Sequence, residues 1–169
     1  ELVEQLVSQA AEKLLGTTKI MFDGREVDVA APWPRRRITD LIRDVAKADP
    51  DDDDSMRAAL LQAGMDKDKV AALRHDHLTQ EVMDELVEST LVNPTFVTHH
   101  PASLNPLAKR NRQDPTLTDR FEVIVAGFEL ANAFSELNDP LEQRARFEDQ
   151  VTAGGDEACC NEVDEDYVS

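Results

Sequence analysis

The sequence has few cysteines, no long apolar run and no secretory signal. Its only two cysteines, Cys159 and Cys160, are adjacent, so they cannot join distant parts of a fold, and no CxxC spacing accompanies them. No apolar run approaches the roughly 18 residues that a membrane span requires. The N-terminus also lacks the basic and then apolar order of a secretory leader. These absences predict a soluble, cytoplasmic protein without a structural disulfide and without a membrane partner.

The sequence also contains fewer basic than acidic residues. It has 18 Lys and Arg and 35 Asp and Glu, and its formal net charge is -17. Such an acidic surface repels a phosphate backbone, so we expect little nucleic-acid binding by this chain alone. Two local basic clusters interrupt this pattern, at residues 35–37 and 109–112. Either could meet a phosphate, but solvated surface charge is the favoured interpretation of the first.

The N-terminal half is predicted to be mainly helical. Apolar residues at helical spacing predict an amphipathic helix over residues 1–15 that ends at Gly16. Residues 23–24, an Asp-Gly dipeptide between two short apolar runs, predict a β-hairpin. Thr39 is predicted to cap a short helix that the acidic run Asp51–Asp54 ends. Residues 38–90 as a whole are interpreted as a small helical insert.

The C-terminal half is predicted to contain most of the strands. Residues 95–98 are β-branched and aromatic, which favours a strand. Two longer strands, Arg120–Val125 and Phe128–Leu137, are predicted to turn at residues 126–127. A final helix begins at Pro140 and ends at residues 154–155. Its predicted buried side consists of Leu141, Ala145, Phe147 and Val151. The predicted fold class is therefore α+β, an antiparallel sheet with flanking helices.

The long hairpin contains the most informative side chains. A two-residue turn places Glu122 and Glu129 on one face of the sheet, within diagonal contact range. Two carboxylates so close either raise one pKa or hold a cation, and hard oxygen ligands suit Mg²⁺ bound together with a phosphate substrate. A hydrated, exposed acidic face is an equally good interpretation of these residues alone.

Further along the same strand, Asn132, Phe134 and Glu136 alternate onto one face. An amide, an aromatic wall and a carboxylate suit an amino-acid ligand with a cationic tail. Strict alternation sets Glu129 on the opposite face, so a pocket shared by all five residues requires a β-bulge near residues 130–131.

Other candidate metal ligands give weaker signals. Adjacent carboxylates such as Asp51–Asp54 usually stay hydrated, and the pair His75 and His77 has no third ligand in view. Cys159 and Cys160 are interpreted as ordinary thiols.

Several motifs, in a consistent order and spacing, resemble the active-site segment of class II lysyl-tRNA synthetases, in the group that also includes the aspartate and asparagine enzymes. The motifs are NPTF at 93–96, HP at 100–101, PLAK at 106–109, LTDRFE at 117–122, FELANAFSELNDP at 128–140, GDEA at 155–158 and DEDY at 164–167. The resemblance implies a lysine–tRNA ligase. Such an enzyme activates lysine with ATP to lysyl-adenylate, transfers it to tRNA and acts as a homodimer.

The same resemblance implies roles for the hairpin residues. Glu122 and Glu129 would bind the Mg²⁺ ions that bridge the ATP phosphates. Glu136 would lie near the substrate ammonium, Phe134 against its aliphatic stem and Asn132 near its carboxylate end. A carboxylate at residue 136 suits a cationic substrate and not an anionic one, which favours lysine over aspartate.

The sequence also departs from the family pattern. His99 and Asn105 stand where an acidic residue and a serine are usual, and the arginine motifs that hold the ATP phosphates are absent. We therefore interpret residues 1–169 as a partial catalytic domain, an internal fragment that is inactive in isolation. Two alternatives stay open, a paralogue that lysylates a protein or lipid and a non-catalytic binding module.

Overall fold

The computed structural model describes residues 1–153. The cysteine pair, the predicted end of the last helix at 154–155 and the family-like segments at 155–158 and 164–167 lie outside the described residues. The regular elements are α1 (Leu2–Leu15), β1 (Lys19–Phe22), β2 (Arg25–Asp28), β3 (Arg35–Arg37), α2 (Ile38–Leu41), α3 (Asp53–Gln62), α4 (Lys67–Ala72), α5 (His75–Val82), β4 (Thr95–Thr98), β5 (Arg120–Val125), β6 (Phe128–Phe134) and α6 (Pro140–Ala153). Turns of π-helix follow α2 and α5, at Ile42–Ala46 and Met83–Val87, and 3-10 turns lie at Glu88–Thr90 and Ala102–Leu104.

The chain divides into two compact units. The first consists of Glu1–His99 and Phe121–Ala133, and the second of His100–Arg120 and the described residues from Phe134 to Ala153. Helices and sheet together confirm the predicted α+β class. Within residues 1–153, no helix combines the length and the apolar character needed to cross a membrane.

Helix α1 confirms the predicted helix, and Gly16 ends it in the left-handed conformation with φ 71°. Its N–H bonds to the carbonyl of Glu12 at 3.0 Å, as expected of a glycine cap. The partly buried residues Val3, Val7 and Ala11 pack against the core, whereas the leucines of the helix, such as Leu6, are exposed. The β-branched and small residues, not the leucines, thus face the core of the first unit.

The predicted hairpin is also present, with β1 antiparallel to β2 and positive φ angles at Asp23 and Gly24. A separate four-stranded sheet has the order β3-β4-β5-β6. Strand β4 is antiparallel to β5 but parallel to β3, so the sheet has one parallel edge. Strand β3 is the basic cluster Arg35–Arg37, which the sequence pattern indicated only as surface charge.

Two details of the helical insert differ from prediction. Thr39 does not cap α2, because the helix continues directly from β3 and begins at the buried Ile38. The acidic run does not end this helix either. It starts the next one, since the carboxylate of Asp52 accepts the N–H of Asp54 at 3.0 Å and the acids lie at the favourable end of the α3 dipole.

The hairpin that contains the candidate site turns at Ala126 and Gly127, as predicted, and both residues have positive φ. Strand β6 ends at Phe134, three residues earlier than predicted. Beyond that point, Ser135 donates its N–H to the carbonyl of Asp119 at 2.9 Å and accepts the N–H of Lys109 at 2.7 Å. The backbone exchanges its strand neighbour for two loop partners, and the strand therefore stops.

Helix α6 begins at Pro140 as predicted, with the carboxylate of Asp139 accepting the N–H of Leu141 at 2.9 Å. The predicted buried side is wrong, because Leu141 and Ala145 are exposed and Phe147 and Val151 are only partly buried. The buried residues are Gln143 and Arg146. The helix covers backbone carbonyls that need hydrogen-bond donors, so polar side chains face inward.

Candidate active site

One part of the candidate site is an acidic cluster in the first unit, formed by Asp84, Glu88, Glu122 and Glu129. Glu122 lies on β5 opposite Val97 of β4 and is only 5% exposed. Glu129 is exposed near the start of β6 and forms no hydrogen bond or ion pair with the described part of the chain. Both residues thus lie on the two strands that the sequence pattern predicted for them.

Packing at the hairpin turn places Glu88 beside these two carboxylates. A side chain at Gly127 would put its Cβ 3.3 Å from the Cα of Ser89, and Ala126 donates its N–H to the carbonyl of Val92 at 3.0 Å. The backbone directly after Glu88 therefore contacts the turn between β5 and β6. Sequence reasoning did not find Glu88, because no spacing or motif connects it with the hairpin.

Electrostatics confirm that the acidic cluster is crowded. Burial first, and then the charges of Asp84, Glu122 and Glu129, together raise the pKa of Glu88 to about 7. Burial likewise raises the pKa of Asp84. The neighbouring carboxylates and burial thus oppose the ionisation of Glu88.

This donor set fits Mg²⁺ held jointly with a phosphate ligand. Mg²⁺ usually takes one or two protein carboxylates and completes its six ligands with water and phosphate oxygens. Glu122 and Glu129 supply two carboxylates in a negative environment. Across residues 1–153, no group of three or more His, Cys, Asp or Glu side chains is arranged to hold a metal ion by itself.

The weaker metal signals have structural explanations. His75 contacts the carboxylate of Asp53 at 2.7 Å, which joins the start of α5 to the start of α3. His77 lies 3.4 Å from a nitrogen of Arg74. The first arginine of the basic cluster, Arg35, pairs with the buried carboxylate of Glu4 at 2.6 Å. These contacts stabilise the first unit.

The residues predicted to bind lysine are exposed. Asn132 lies on β6 in the first unit, and Phe134 and Glu136 belong to the second unit. The carboxylate of Glu136 forms no hydrogen bond or ion pair with residues 1–153. It is therefore available to an external cation.

The backbone on both sides of Glu136 is fixed by a loop of the second unit. Residue 136 pairs with Ala108 in an antiparallel bridge, and Leu137 donates its N–H to the carbonyl of Leu107 at 2.9 Å. Asp119 donates its N–H to the carbonyl of Lys109 at 3.0 Å. Together with the two bonds of Ser135, these contacts hold the main chain of residues 135–137.

Comparison with known proteins identifies the class to which this arrangement belongs. The family model for class II tRNA synthetases of the D, K and N group matches residues 1–169. The chain belongs to this family, as the motifs of the β5–β6 hairpin predicted.

Lysine–tRNA ligases are among the relatives that the chain matches. The chain is 39% identical to the lysine–tRNA ligase of Staphylococcus aureus strain MW2, over 99% of this chain and 34% of the relative. It is 38% identical to that of strain Mu3, with the same coverage. The chain thus spans about a third of the length of these relatives.

Proposed function

We propose that this chain forms part of the catalytic domain of a lysine–tRNA ligase, which activates lysine with ATP to lysyl-adenylate and transfers it to tRNA. The similarity to lysine–tRNA ligases supports this assignment. The observation that carries it is the carboxylate of Glu136, which is exposed, has no partner within residues 1–153 and lies on a fixed backbone. A substrate with a terminal ammonium group is the complement of such a carboxylate.

In the proposed lysine site, Glu136 binds the ε-ammonium group and Phe134 packs against the aliphatic stem. Phe134 is 36% exposed, so its ring is accessible to a ligand. Asn132 is assigned to the carboxylate end of lysine by the family resemblance. The amino-acid carboxylate then attacks the α-phosphate of ATP and displaces pyrophosphate to form lysyl-adenylate, and the protein contributes positioning and charge neutralisation.

In the proposed ATP site, Glu122 and Glu129 hold Mg²⁺ on the phosphates. When bound, Mg²⁺ neutralises charge on the phosphates. The crowded carboxylates of the acidic cluster support this role, because a cation relieves their mutual repulsion. The chain itself keeps these two side chains on neighbouring strands of one sheet.

The remaining assignments rest on the family resemblance. We propose that the whole protein acts in the cytoplasm, as a homodimer, on lysine, ATP and tRNA. The 169-residue chain by itself is proposed to be inactive. Residues 1–169, which include the helical insert at 38–90, form only part of the catalytic domain in this proposal. A paralogue that lysylates a protein or lipid would use the same lysine site, and a non-catalytic module would use none.

Calorimetric titration of the chain tests the lysine assignment. We expect saturable binding of lysine and at least about tenfold weaker binding of norleucine, which lacks only the ε-ammonium group. Glu136→Gln should abolish this preference, while exchange of the exposed Glu12 for glutamine should leave it intact. Equal affinity of the unaltered chain for both ligands would contradict the proposal.

A second titration tests the ATP assignment. Mg²⁺ should strengthen ATP binding, and Glu122→Gln and Glu129→Gln should each remove that strengthening without affecting lysine. If Mg²⁺ has the same effect on both variants and on the unaltered chain, these carboxylates do not hold the ion. Assays of the whole protein that compare lysine transfer to tRNA with lysine transfer to a protein or lipid acceptor distinguish the ligase from the paralogue.

A further inference from the structure

Arg146 of α6 is a buried arginine that binds the loop beside Glu136. Its guanidinium is 6% exposed and donates to three main-chain carbonyls. The distances are 2.5 Å to Ala108, 3.2 Å to Asn105 and 3.5 Å to Pro106. The neighbouring Gln143, also buried, donates its amide to the carbonyl of Pro106 at 3.0 Å.

These carbonyls belong to the loop that fixes the main chain around Glu136. Ala108 accepts from Arg146 on one side and forms the bridge to residue 136 on the other. The carbonyl of Leu107 accepts the N–H of Leu137. The loop thus lies between Arg146 and residue 136. Arg146 contacts neither the carboxylate of Glu136 nor any proposed ligand.

The charge of Arg146 is matched by a different carboxylate. Glu142 accepts from the Nη2 and Nε atoms of Arg146, at 2.5 Å and 3.2 Å, and from Arg110 at 2.9 Å. The hydrogen bond from Arg146 holds the pKa of Glu142 below its usual value, and the bond from Arg110 acts in the same direction. Arg146 and Arg110 thus pair with Glu142, and the carboxylate of Glu136 forms no hydrogen bond or ion pair within residues 1–153.

The geometry points to Arg146 as a positioning residue for substrate selection: it anchors the loop at residues 105–108 and so fixes the main chain from which Glu136 meets the ε-ammonium of lysine. This inference rests on the proposed function. A lysine at this position cannot replace the arginine, because the planar guanidinium reaches three carbonyls and a carboxylate at once and an ammonium is a point donor. Sequence patterns gave no sign of it, because a polar residue on a helix is ordinarily exposed.

Amide hydrogen exchange in the ligand-free chain tests the anchoring step. In Arg146→Lys we expect exchange at the N–H groups of Lys109 and Leu137 to be at least about tenfold faster, because the loop that pairs with them is released. The N–H of Ala63, bonded to Ala59 at 3.1 Å in α3, reports on the first unit and should be unchanged. Replacing Arg112, an exposed arginine that follows this loop in the chain, by lysine is the matched control.

A milder variant keeps the test valid if Arg146→Lys does not fold. Gln143→Met removes only the bond to Pro106 and is expected to accelerate exchange at Leu137 by a smaller factor than Arg146→Lys. Unchanged exchange at Lys109 and Leu137 in a folded variant overturns the inference. Accelerated exchange supports it whether or not the chain binds lysine.

Calorimetry with lysine and norleucine tests the consequence for selection. Arg146→Lys should weaken lysine binding by about tenfold and leave norleucine binding within about twofold, because only the ammonium contact depends on Glu136. A purely structural defect would weaken both ligands equally and would refute the role in selection. If the unaltered chain does not prefer lysine, the proposed function fails, while the exchange result still decides the anchoring step.

Discussion

Replacing Glu88 by glutamine removes one ionisable group from the acidic cluster and nearly preserves the shape of the side chain. In the folded chain the pKa of Glu88 is raised from 4.5 to about 7, first by burial and then by Asp84, Glu122 and Glu129. This interval sets an upper bound of about 3.4 kcal/mol on the cost of ionising Glu88. Glu88 is only half-buried, and solvent screening lowers the expected cost to about 1–2 kcal/mol.

The sign of the effect follows from proton linkage. A carboxyl group with a raised pKa binds its proton more tightly in the folded chain, so its contribution to folding stability rises as pH falls. The cost of ionised Glu88 is complete above pH 7 and disappears below pH 4.5. Glu88→Gln should therefore be more stable than the unaltered chain by about 1–2 kcal/mol at about pH 8.5, and this advantage should shrink towards about pH 5.

Urea denaturation at steps between about pH 8.5 and about pH 5 measures this difference in stability. The whole pH range lies above the sequence pI of about 4.5. Glu12→Gln, at an exposed position of α1, is the matched control and should show no such trend. An advantage of equal size at every pH, or a variant that is less stable at high pH, would refute the account of the acidic cluster.

Three further predictions concern the first unit. Glu4→Gln should lower the thermal midpoint at neutral pH and lose this effect as pH falls from 4.5 to about 2, because the hydrogen bond from Arg35 lowers the pKa of Glu4 to about 2. Gly127→Ala should cost about 1–2 kcal/mol of unfolding free energy, since φ is +81° and the new Cβ would lie 3.3 Å from the backbone of Ser89. Leu60→Ala, at a fully buried position, should cost about 2–5 kcal/mol in urea denaturation.

Each of these predictions has a control or a result that would contradict it. Leu14→Ala, at a residue that is 82% exposed, should change stability little, and an equal loss at both leucines would contradict the assigned core. Gly24→Ala has a similar φ but no atom within 4 Å of the new Cβ, so it isolates the contact with Ser89. A Glu4→Gln effect that persists unchanged below pH 3 would show that the ionised carboxylate is not its cause.

Sequence patterns predicted the elements that depend on local chemistry. Helix α1 follows from helical periodicity, and the β1–β2 hairpin and the turn at residues 126–127 follow from Gly24 and Gly127, because glycine accepts positive φ. The family motifs predicted the family and placed the candidate residues on the hairpin. These signals are all contained within short segments of the chain.

The features that sequence patterns missed depend on contacts between distant segments. Glu88 joins the acidic cluster because Gly127 packs on Ser89, and no periodicity connects positions that are nearly forty residues apart. The buried side of α6 was predicted from its apolar residues, but the neighbouring loop presents carbonyls, so Arg146 is buried instead. Strand β3 was missed because three arginines have no β-strand pattern, and pairing with β4 decides their structure.

The exposure of Glu136 explains why the loop beside it matters for the proposed function. An ion pair at an exposed site contributes only about 0–1 kcal/mol, because solvent screens the charges and flexible side chains lose entropy on pairing. A fixed main chain reduces the entropy lost when the ammonium binds, so a larger share of the attraction appears as affinity. In the proposed arrangement, the bridge between residue 136 and Ala108 supplies this rigidity, and Arg146 stabilises the bridge through its hydrogen bond to the carbonyl of Ala108. Preference for lysine over norleucine is therefore expected to depend on residues that never contact the substrate.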